Sequence, residues 1–543
     1  MTRPTSSVTT ATWYRALAAL LTIAAAAAVW STARVFSGTV DEPAHIAAGM
    51  QWLTTHRYDY DLQHPPIGRV AAALGPYLHG TRGIGAPGVY EEGAAILGRG
   101  AHYADTLASA RHGELLFLII LALATWAWGT RLAGEVGGLA ATLLVVANPN
   151  ILAHAGLATT DIACAAMTTV ALLAAAWWID EASWPRTAVF GAAVGLAVAS
   201  RLSAIGFLGV AFAACYVLRG VVSRRWTIGA SQSAARQLAN AAMALAVACL
   251  VVWAAYRFDV GPLHPGGPAV PAPAFLNGVS TFVLHGSSGH PAFLLGVPRN
   301  HGWWYYFPVA LLVKTPIPLL LLAVLGGAAG VKRAWATRDW QSAAPITSAI
   351  AMLALSMAVR VDLGIRLILP VYPLLAVTGA IAVAELWSHR ARHTERVVVI
   401  ALALWTVVIP VRAHPDHLAY FNELAGTHPE HVLVDSNLDW GQGLYRLRDT
   451  IAARGIRDSV FVAYFGTADV SAAGVPNARV LGLHEIRTGW IAASETYLAG
   501  EWVGHAYDWL LAYPPVARIG PSMLLWHITR LDGRAAAAAA TVR

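Results

Sequence analysis

Apolar residues in this chain do not alternate with polar ones over residues 14–412. They run in long stretches, broken by short polar segments. A hydrocarbon core about 30 Å thick is crossed by about 20 mostly apolar helical residues. About eleven stretches reach or approach that length, near 14–32, 112–130, 136–152, 161–179, 186–200, 203–219, 237–256, 303–326, 343–359, 365–386 and 396–412. The pattern predicts an all-α polytopic membrane protein. Within the polar segment 33–111, DEPAHIAAGMQWLTTH predicts a short helix with Asp41 as N-cap and an acidic first turn. HPPIGRVAAALGPYL predicts a second, amphipathic helix lying at a membrane interface. In the tail, HVLVDSNLDWGQG, LYRLRDTIAARGI and DSVFVAYFG predict strand, turn, helix and strand, hence a small α/β domain. The expected organisation is a helical membrane domain over 1–412, an α/β domain over 413–530, and a disordered alanine-rich tail over 531–543.

Composition agrees. The chain is 57% hydrophobic and 12% charged, against about 25% charged in a soluble domain. The net charge of +7 comes from Lys and Arg in short loops, which suits membrane orientation rather than nucleic-acid binding. Arg3, Arg15, Arg131, Arg186, Arg219, Arg224, Arg225, Lys332, Arg333, Arg338, Arg390, Arg392 and Arg396 fall on one side if the N-terminus is cytoplasmic. The acids and histidines of 33–111, 153–160, 257–302 and 360–364 then fall outside, with the tail from 413. The first stretch ends in small residues like a signal peptide, yet its length and the polytopic remainder favour an uncleaved anchor. Cys164, Cys215 and Cys249 lie inside apolar runs and read as small buried hydrophobes, without a disulfide framework.

The candidate chemistry sits where the chain leaves the apolar runs. Asp41 and Glu42 open the first outer segment, with His45 one turn on. HAGLATTD places His154 and Asp161 in the next outer loop; a helix cap is the bland account of this acid, as it is of Asp41. Lys314 lies deep in an apolar stretch, where a charge by default marks a functional site. Pro316 and Pro318 break the helix beside it, freeing carbonyls that suit a cation. Arg201 and Arg366 stand at the outer ends of two further stretches, each also explicable as an interface anchor. Carboxylates at the surface with bases at the lipid boundary suit a lipid-linked phosphate substrate. Its phosphate takes Arg or Lys, and a carboxylate accepts the proton of an incoming nucleophile. A phosphate leaving group needs charge stabilisation rather than a strong acid, so one catalytic carboxylate suffices. Adjacent helical residues point about 100° apart, so Asp41 and Glu42 are not an opposed pair of the glycosidase kind.

These pieces also resemble a family. VDEPAHIAAG, HPPIGR, HAGLATTDIA, GWWYYFPVALLVKTPIP and GIRLILPVYP, in that order, resemble the GT-C class of membrane glycosyltransferases. The nearest branch is that of the protein O-mannosyltransferases and bacterial aminoarabinose transferases. The tail blocks HPDHLAYFNELAG and VLVDSNLDWGQGL resemble bacterial phospholipid-carrier-dependent glycosyltransferases. The resemblance covers nearly the whole chain. It implies an inverting transferase using a polyprenyl-monophosphate sugar at the outer face of the bacterial cytoplasmic membrane. The acceptor would be a glycolipid, a polysaccharide or a protein. Asp41 would be the base, and Glu42 would assist it or bind the acceptor. Lys314, Arg366 and Arg201 would face the donor phosphate, although relatives often carry Lys where Arg201 stands. His45, His64, Asp161, His154 and Tyr305 would contact substrate.

In the tail, Asp435, Asn437, Asp439 and Trp440 follow a predicted strand, where α/β sheets bind ligands. A turn rich in local caps is the other account, and a stacked sugar is the natural ligand of Trp440 or Trp502. A divalent metal on His45, His64, His154 and Asp161 is left open, since relatives divide on metal use and the spacings match no standard site. The alternative from another class is a lipid or sugar transporter or flippase. Such proteins place their sites at the midplane between repeats, and no repeat is found here.

Overall fold

The computed structural model describes residues 6–98, 101–229, 233–388 and 391–531. Arg3, Arg390 and the predicted tail beyond Leu531 lie outside the described residues. Among those described, seven helices are long and apolar enough to cross a membrane. The other predicted stretches form shorter helices, such as Trp184–Ser200, Ala344–Ser356 and Val371–Leu386. The stretches predicted at 112–130 and 136–152 are continuous in hydrogen bonding within Leu115–Val146, yet the backbone leaves helical geometry at Ala133 and Gly134. The chain doubles back there. Gly134 has φ +68°, open to glycine without strain. Gly129 then faces Gly137, and a Cβ on Gly129 would lie 2.6 Å from the Gly137 oxygen. Small residues let helix backbones touch, as packing in lipid favours.

One predicted span is two helices. The run 303–326 divides into Tyr306–Lys314 and Ile317–Thr337, because Pro316 and Pro318 remove the donors that would continue the first. The carbonyls so freed do not wait for a cation. Asn422 donates its side-chain amide to Leu312 and Thr315 at 2.6 and 2.7 Å, and its backbone N–H to Val313. Asn150 donates to the Lys314 carbonyl at 2.7 Å.

Basic residues gather at one end of the bundle. Arg131 donates to Gln341, Arg219 to Asp180, Arg333 to the Leu132 carbonyl and Arg15 to Glu135. The opposite end carries everything else of chemical interest. There 33–111 folds as the two predicted helices, Glu42–Thr54 and Pro66–Leu78, and two that sequence reading did not foresee, Val89–Leu97 and Ala101–His112. The segment 257–302 forms a helix, Pro273–Ser288, between two short hairpins.

The tail carries a five-stranded mixed sheet in the order Ala478–Val480, Val460–Ala463, Gly489–Ser494, Met523–Ile528, Ala517–Ile519. The first three strands are parallel and the last two antiparallel to their neighbours. The predicted helix forms as Leu444–Ala453. The predicted strand at 431–435 does not. That segment is a pair of short 3-10 turns, Pro429–His431 and Asp435–Asn437, because its backbone groups bond elsewhere than to a sheet edge: the Val432 carbonyl accepts from the Leu295 amide, the Asp435 amide donates to the Thr496 hydroxyl, and the Asn437 carbonyl accepts from Lys314. Cys164 and Cys215 are buried as expected, but Cys249 is exposed on the outer face of its helix, where lipid rather than protein is the apolar surrounding.

Gly129→Val tests the hairpin. Overpacking of this kind costs about 1–3 kcal/mol, so the variant should lose thermal stability in detergent. An unchanged melting curve would mean that the two helices are not held at this contact.

Candidate active site

Asp41 occupies the N-cap position of Glu42–Thr54, but its side chain makes no capping bond. Its Oδ2 instead accepts from Arg366, 2.8 Å away and 325 residues along the chain. Asp41 is therefore not explained as a cap. Its neighbour is turned the other way. Glu42 is fully buried and accepts from the Thr39 amide, the Ala158 amide and both forks of Arg111, the last at 2.7 Å. Burial alone would raise its carboxyl; Arg111 and the two amides outweigh this and hold it below the ordinary value. Arg111 also donates to the carbonyls of Ala33, Phe36 and Ser37. The pair thus stitches the end of the first helix, the motif loop and the 156–160 loop together, and fixes which way Asp41 points.

Arg366 lies in the 3-10 turn Ile365–Ile368. Its guanidinium stacks 4.2 Å from the Trp440 ring, and its Nε donates to the Leu363 carbonyl. Among the described residues its second terminal nitrogen has no partner. Arg201 caps Trp184–Ser200 and pairs with Asp161. Asp161 begins the next helix, accepts from Thr159 at 2.8 Å, and has His154 Nδ1 3.9 Å away. His154 is not in a loop but on the short helix Pro149–Ala155. Burial drives its ring down to about 4, so it is neutral at pH 7. His64 contacts Thr160 at 3.4 Å and stands edge-on to His45, ring centres 5.0 Å apart. Asp41, Arg366, Trp440, His154, Asp161, Arg201, His64 and His45 thus form one connected group.

Five expected residues stand differently. Lys314 is fully buried, with Nζ donating to the carbonyls of Leu418 and Asn437 at 2.8 and 2.6 Å. It ties the tail to the bundle. Tyr305 is half-buried beside Trp304; the next residue, Tyr306, is the one whose hydroxyl takes the Gly364 amide and Asn437 Nδ2. In the tail loop, Ser436 and Asn437 bond the backbone of Leu363 and Ile365, propping the Arg366 turn. Asp435, left-handed at φ +54°, accepts from Trp502 at 3.1 Å, and Asp439 is buried against the Thr496 amide. Burial raises both acids, Asp439 to about 7.

Among the described residues no three His, Cys, Asp or Glu side chains are placed to share a metal ion. Guanidinium groups take up part of the donor set, Arg69 on His45 and Arg201 on Asp161, while His154 Nδ1 has no hydrogen-bond partner among the described residues. Arg69 and Arg111 were missed by sequence reading. Both lie on short helices of the outer segment, where an Arg is ordinary and gives no signal of its own.

Beside Arg201 opens an apolar cleft of about 280 Å³, lined by Phe207, Phe282, Phe307, Leu355 and Leu367. It runs between Ser203–Ser223, Pro273–Ser288 and Ala344–Ser356. Arg201 is its charged residue, and Leu367 adjoins Arg366.

No family model and no curated protein matches the sequence. Solved structures do match in fold. ArnT from Cupriavidus metallidurans, bound to undecaprenyl phosphate, superposes with a TM-score of 0.51 at 15% identity, over 93% of this chain and 97% of that one. The archaeal oligosaccharyltransferase AglB from Archaeoglobus fulgidus, in complex with an inhibitory peptide and a dolichol-phosphate, gives 0.51 at 12% identity, over 90% and 70%. The chain has the GT-C membrane fold.

Arg111→Met leaves the Glu42 carboxylate buried without its partner, a change that costs about 3–5 kcal/mol. The folded Glu42 value lies below the unfolded one, so the pair's contribution is complete above about pH 4.3 and is lost only as pH falls through the depressed value. The loss in Arg111→Met should be full at pH 7 and should narrow in acid, where a protonated Glu42 no longer leaves a bare charge. Denaturation followed at both pH values checks this; a pH-independent difference would argue against the charge as its cause.

Proposed function

We propose that the protein is an inverting glycosyltransferase. In this reading it moves a sugar from a polyprenyl-monophosphate donor to an acceptor hydroxyl at the outer face of the bacterial cytoplasmic membrane. The observation that carries the reading is the junction at Arg366. On one side lies Asp41, the single carboxylate of the group facing away from its own helix cap. On the other, Leu367, the chain neighbour of Arg366, lines the apolar cleft that has Arg201 at its wall. A lipid chain in the cleft puts its phosphate between two guanidinium groups, each with nitrogens free of protein acceptors among the described residues. The fold supports the reading, since ArnT was solved with undecaprenyl phosphate and AglB with a dolichol-phosphate.

The chemistry follows from those positions. Asp41 takes the proton of the acceptor hydroxyl as its oxygen attacks the anomeric carbon. The bond from that carbon to the phosphate oxygen breaks, and polyprenyl phosphate leaves with both electrons. Arg201 and Arg366 stabilise the growing phosphate charge. One displacement inverts the anomeric centre. Glu42 assists by orienting Asp41, and Lys314 assists by holding the tail loop that props Arg366. His64, His154 and Asp161 shape the sugar site. Asp435, Asn437, Asp439 and Trp440 are buried and serve to hold Arg366 in place, while exposed Trp502, bonded to Asp435, offers the acceptor a stacking surface. The basic far end of the bundle is cytoplasmic by the positive-inside rule, with the N-terminus, which leaves the sheet extracytoplasmic.

Purified protein in nanodiscs, given radiolabelled polyprenyl-phosphate sugars and a membrane extract as acceptor, should release polyprenyl phosphate. Asp41→Asn should reduce the rate about a thousandfold, within the usual span for a general base. Arg366→Lys should be impaired as well, because a point charge does not replace a planar fork. Donor that binds without ever being consumed would favour a transporter instead. Equal rates for wild type and Asp41→Asn would move the base elsewhere, with Asp161 next.

A further inference from the structure

The helices Glu42–Thr54 and Pro66–Leu78 meet backbone to backbone. A Cβ on Gly49 would collide with the Arg69 carbonyl. His45 lies one turn before Gly49 on the same face, so this contact sets the Arg69 side chain against the His45 ring. Arg69 is fully buried, and its Nε lies 3.0 Å from His45 Nδ1. Its remaining nitrogens are held from the far side by the Asp61 carbonyl at 2.7 Å, the Asp61 carboxylate and the Tyr58 hydroxyl at 3.3 Å.

A guanidinium has five N–H donors and no lone pair, and it keeps its charge. The His45 nitrogen that faces it must therefore be an acceptor. Nδ1 carries no proton, and the single proton of the neutral ring sits on Nε2. The charged and titratable groups facing the ring are Arg69, His64, Asp61 and Asp161. Both carboxylates already pair with guanidinium groups, Asp61 with Arg69 and Asp161 with Arg201. Burial and Arg69 prevail and hold His45 well below its ordinary value. Among the described residues its Nε2–H has no protein acceptor.

We propose that Arg69 is a positioning residue that locks His45 as a neutral Nε2–H donor, and that this N–H binds an oxygen of the lipid-phosphate sugar. His45 then binds substrate and is not a second base. The contact to substrate rests on the transferase reading; the lock itself does not.

The test is nitrogen NMR on the full chain in nanodiscs with ¹⁵N-labelled histidine, His45 being assigned by the signals missing in His45→Gln. The lock predicts a proton on Nε2 alone and no titration of His45 from pH 7.5 to 5. An Nδ1–H ring, or protonation in the ordinary range near about 6.5, would overturn it. Arg69→Met should restore that titration or populate both tautomers; a ring that stays locked in a folded variant would show that Arg69 is not the cause. Should that variant not fold, Arg69→Gln serves the same comparison, because its amide oxygen can accept from an Nδ1–H and so no longer forbids that tautomer.

Turnover reads the donor role. A Gln amide places its N–H near Nε2, an Asn amide near Nδ1. His45→Gln should lose less than about tenfold and His45→Asn about a hundredfold, the scale of one hydrogen bond to a charged or transition-state oxygen. The reverse order would overturn the role. A shift of the Nε2–H signal with undecaprenyl phosphate alone assigns the contact to a phosphate oxygen. A shift that needs the sugar-bearing lipid assigns it to the sugar. No shift with either refutes the contact. Should no donor be consumed by wild type at all, the transferase reading falls while the tautomer result stands by itself.

Discussion

A charge buried beside lipid must be paired, and the Glu42–Arg111 pair is the one on which the rest of this site hangs. Both side chains are sealed from solvent. Arg111 reaches three carbonyls of the chain leaving the first helix, and Glu42 reaches the amides of Thr39 and Ala158. Every group is satisfied, so the pair fixes geometry rather than storing reactivity. Its consequence is directional. With Glu42 turned inward, helical geometry turns Asp41 about 100° away, off the cap and onto Arg366.

A second set of contacts builds the partner of Asp41. Arg366 sits on a short turn entered through Gly364 at φ +94°, where Ser436 packs so closely that a Cβ would collide with it. Ser436, Asn437 and Tyr306 hold that turn by its backbone, Lys314 holds Asn437, and Trp440 lies under the guanidinium. The tail is in this way part of the site although its sheet is remote from the spans. The costly buried lysine and the broken helix at Pro316 are joined in the same arrangement, because Asn422 closes the carbonyls that the prolines leave open.

The group is dominated by guanidinium–carboxylate pairs, and the proposed chemistry rests on them. Asp41, Asp161 and Asp61 each face an arginine. Arg366 and Arg201 retain donors for an anion among the described residues. A phosphate presented from an apolar cleft meets both needs, since its chain replaces lipid with protein wall and its charge finds the forks.

Much was legible in the sequence because membrane physics leaves so few solutions. A run of apolar residues with no water beside it must be helical, and so the spans, the two motif helices and the tail helix were readable. Asp41, Asp161, Arg201 and Arg366 stood out because charges at the edge of apolar runs are rare. What stayed hidden depended on partners far along the chain. The segment at 431–435 has a strand's pattern but bonds elsewhere than to a sheet edge, so no periodicity reveals its 3-10 turns. Lys314 announces itself as a buried charge, yet only folding shows that carbonyls of the tail receive it. Arg69 and Arg111 look like ordinary residues of amphipathic helices until the contact at Gly49 and the loop carbonyls enclose them. The sequence by itself determined which segments are helical and which charges are unusual, since both follow from local hydropathy. The tertiary structure alone decided which carboxylate is sealed in a complete set of bonds and which is turned onto Arg366, because hydrogen-bond satisfaction is a property of neighbours that the chain order does not record.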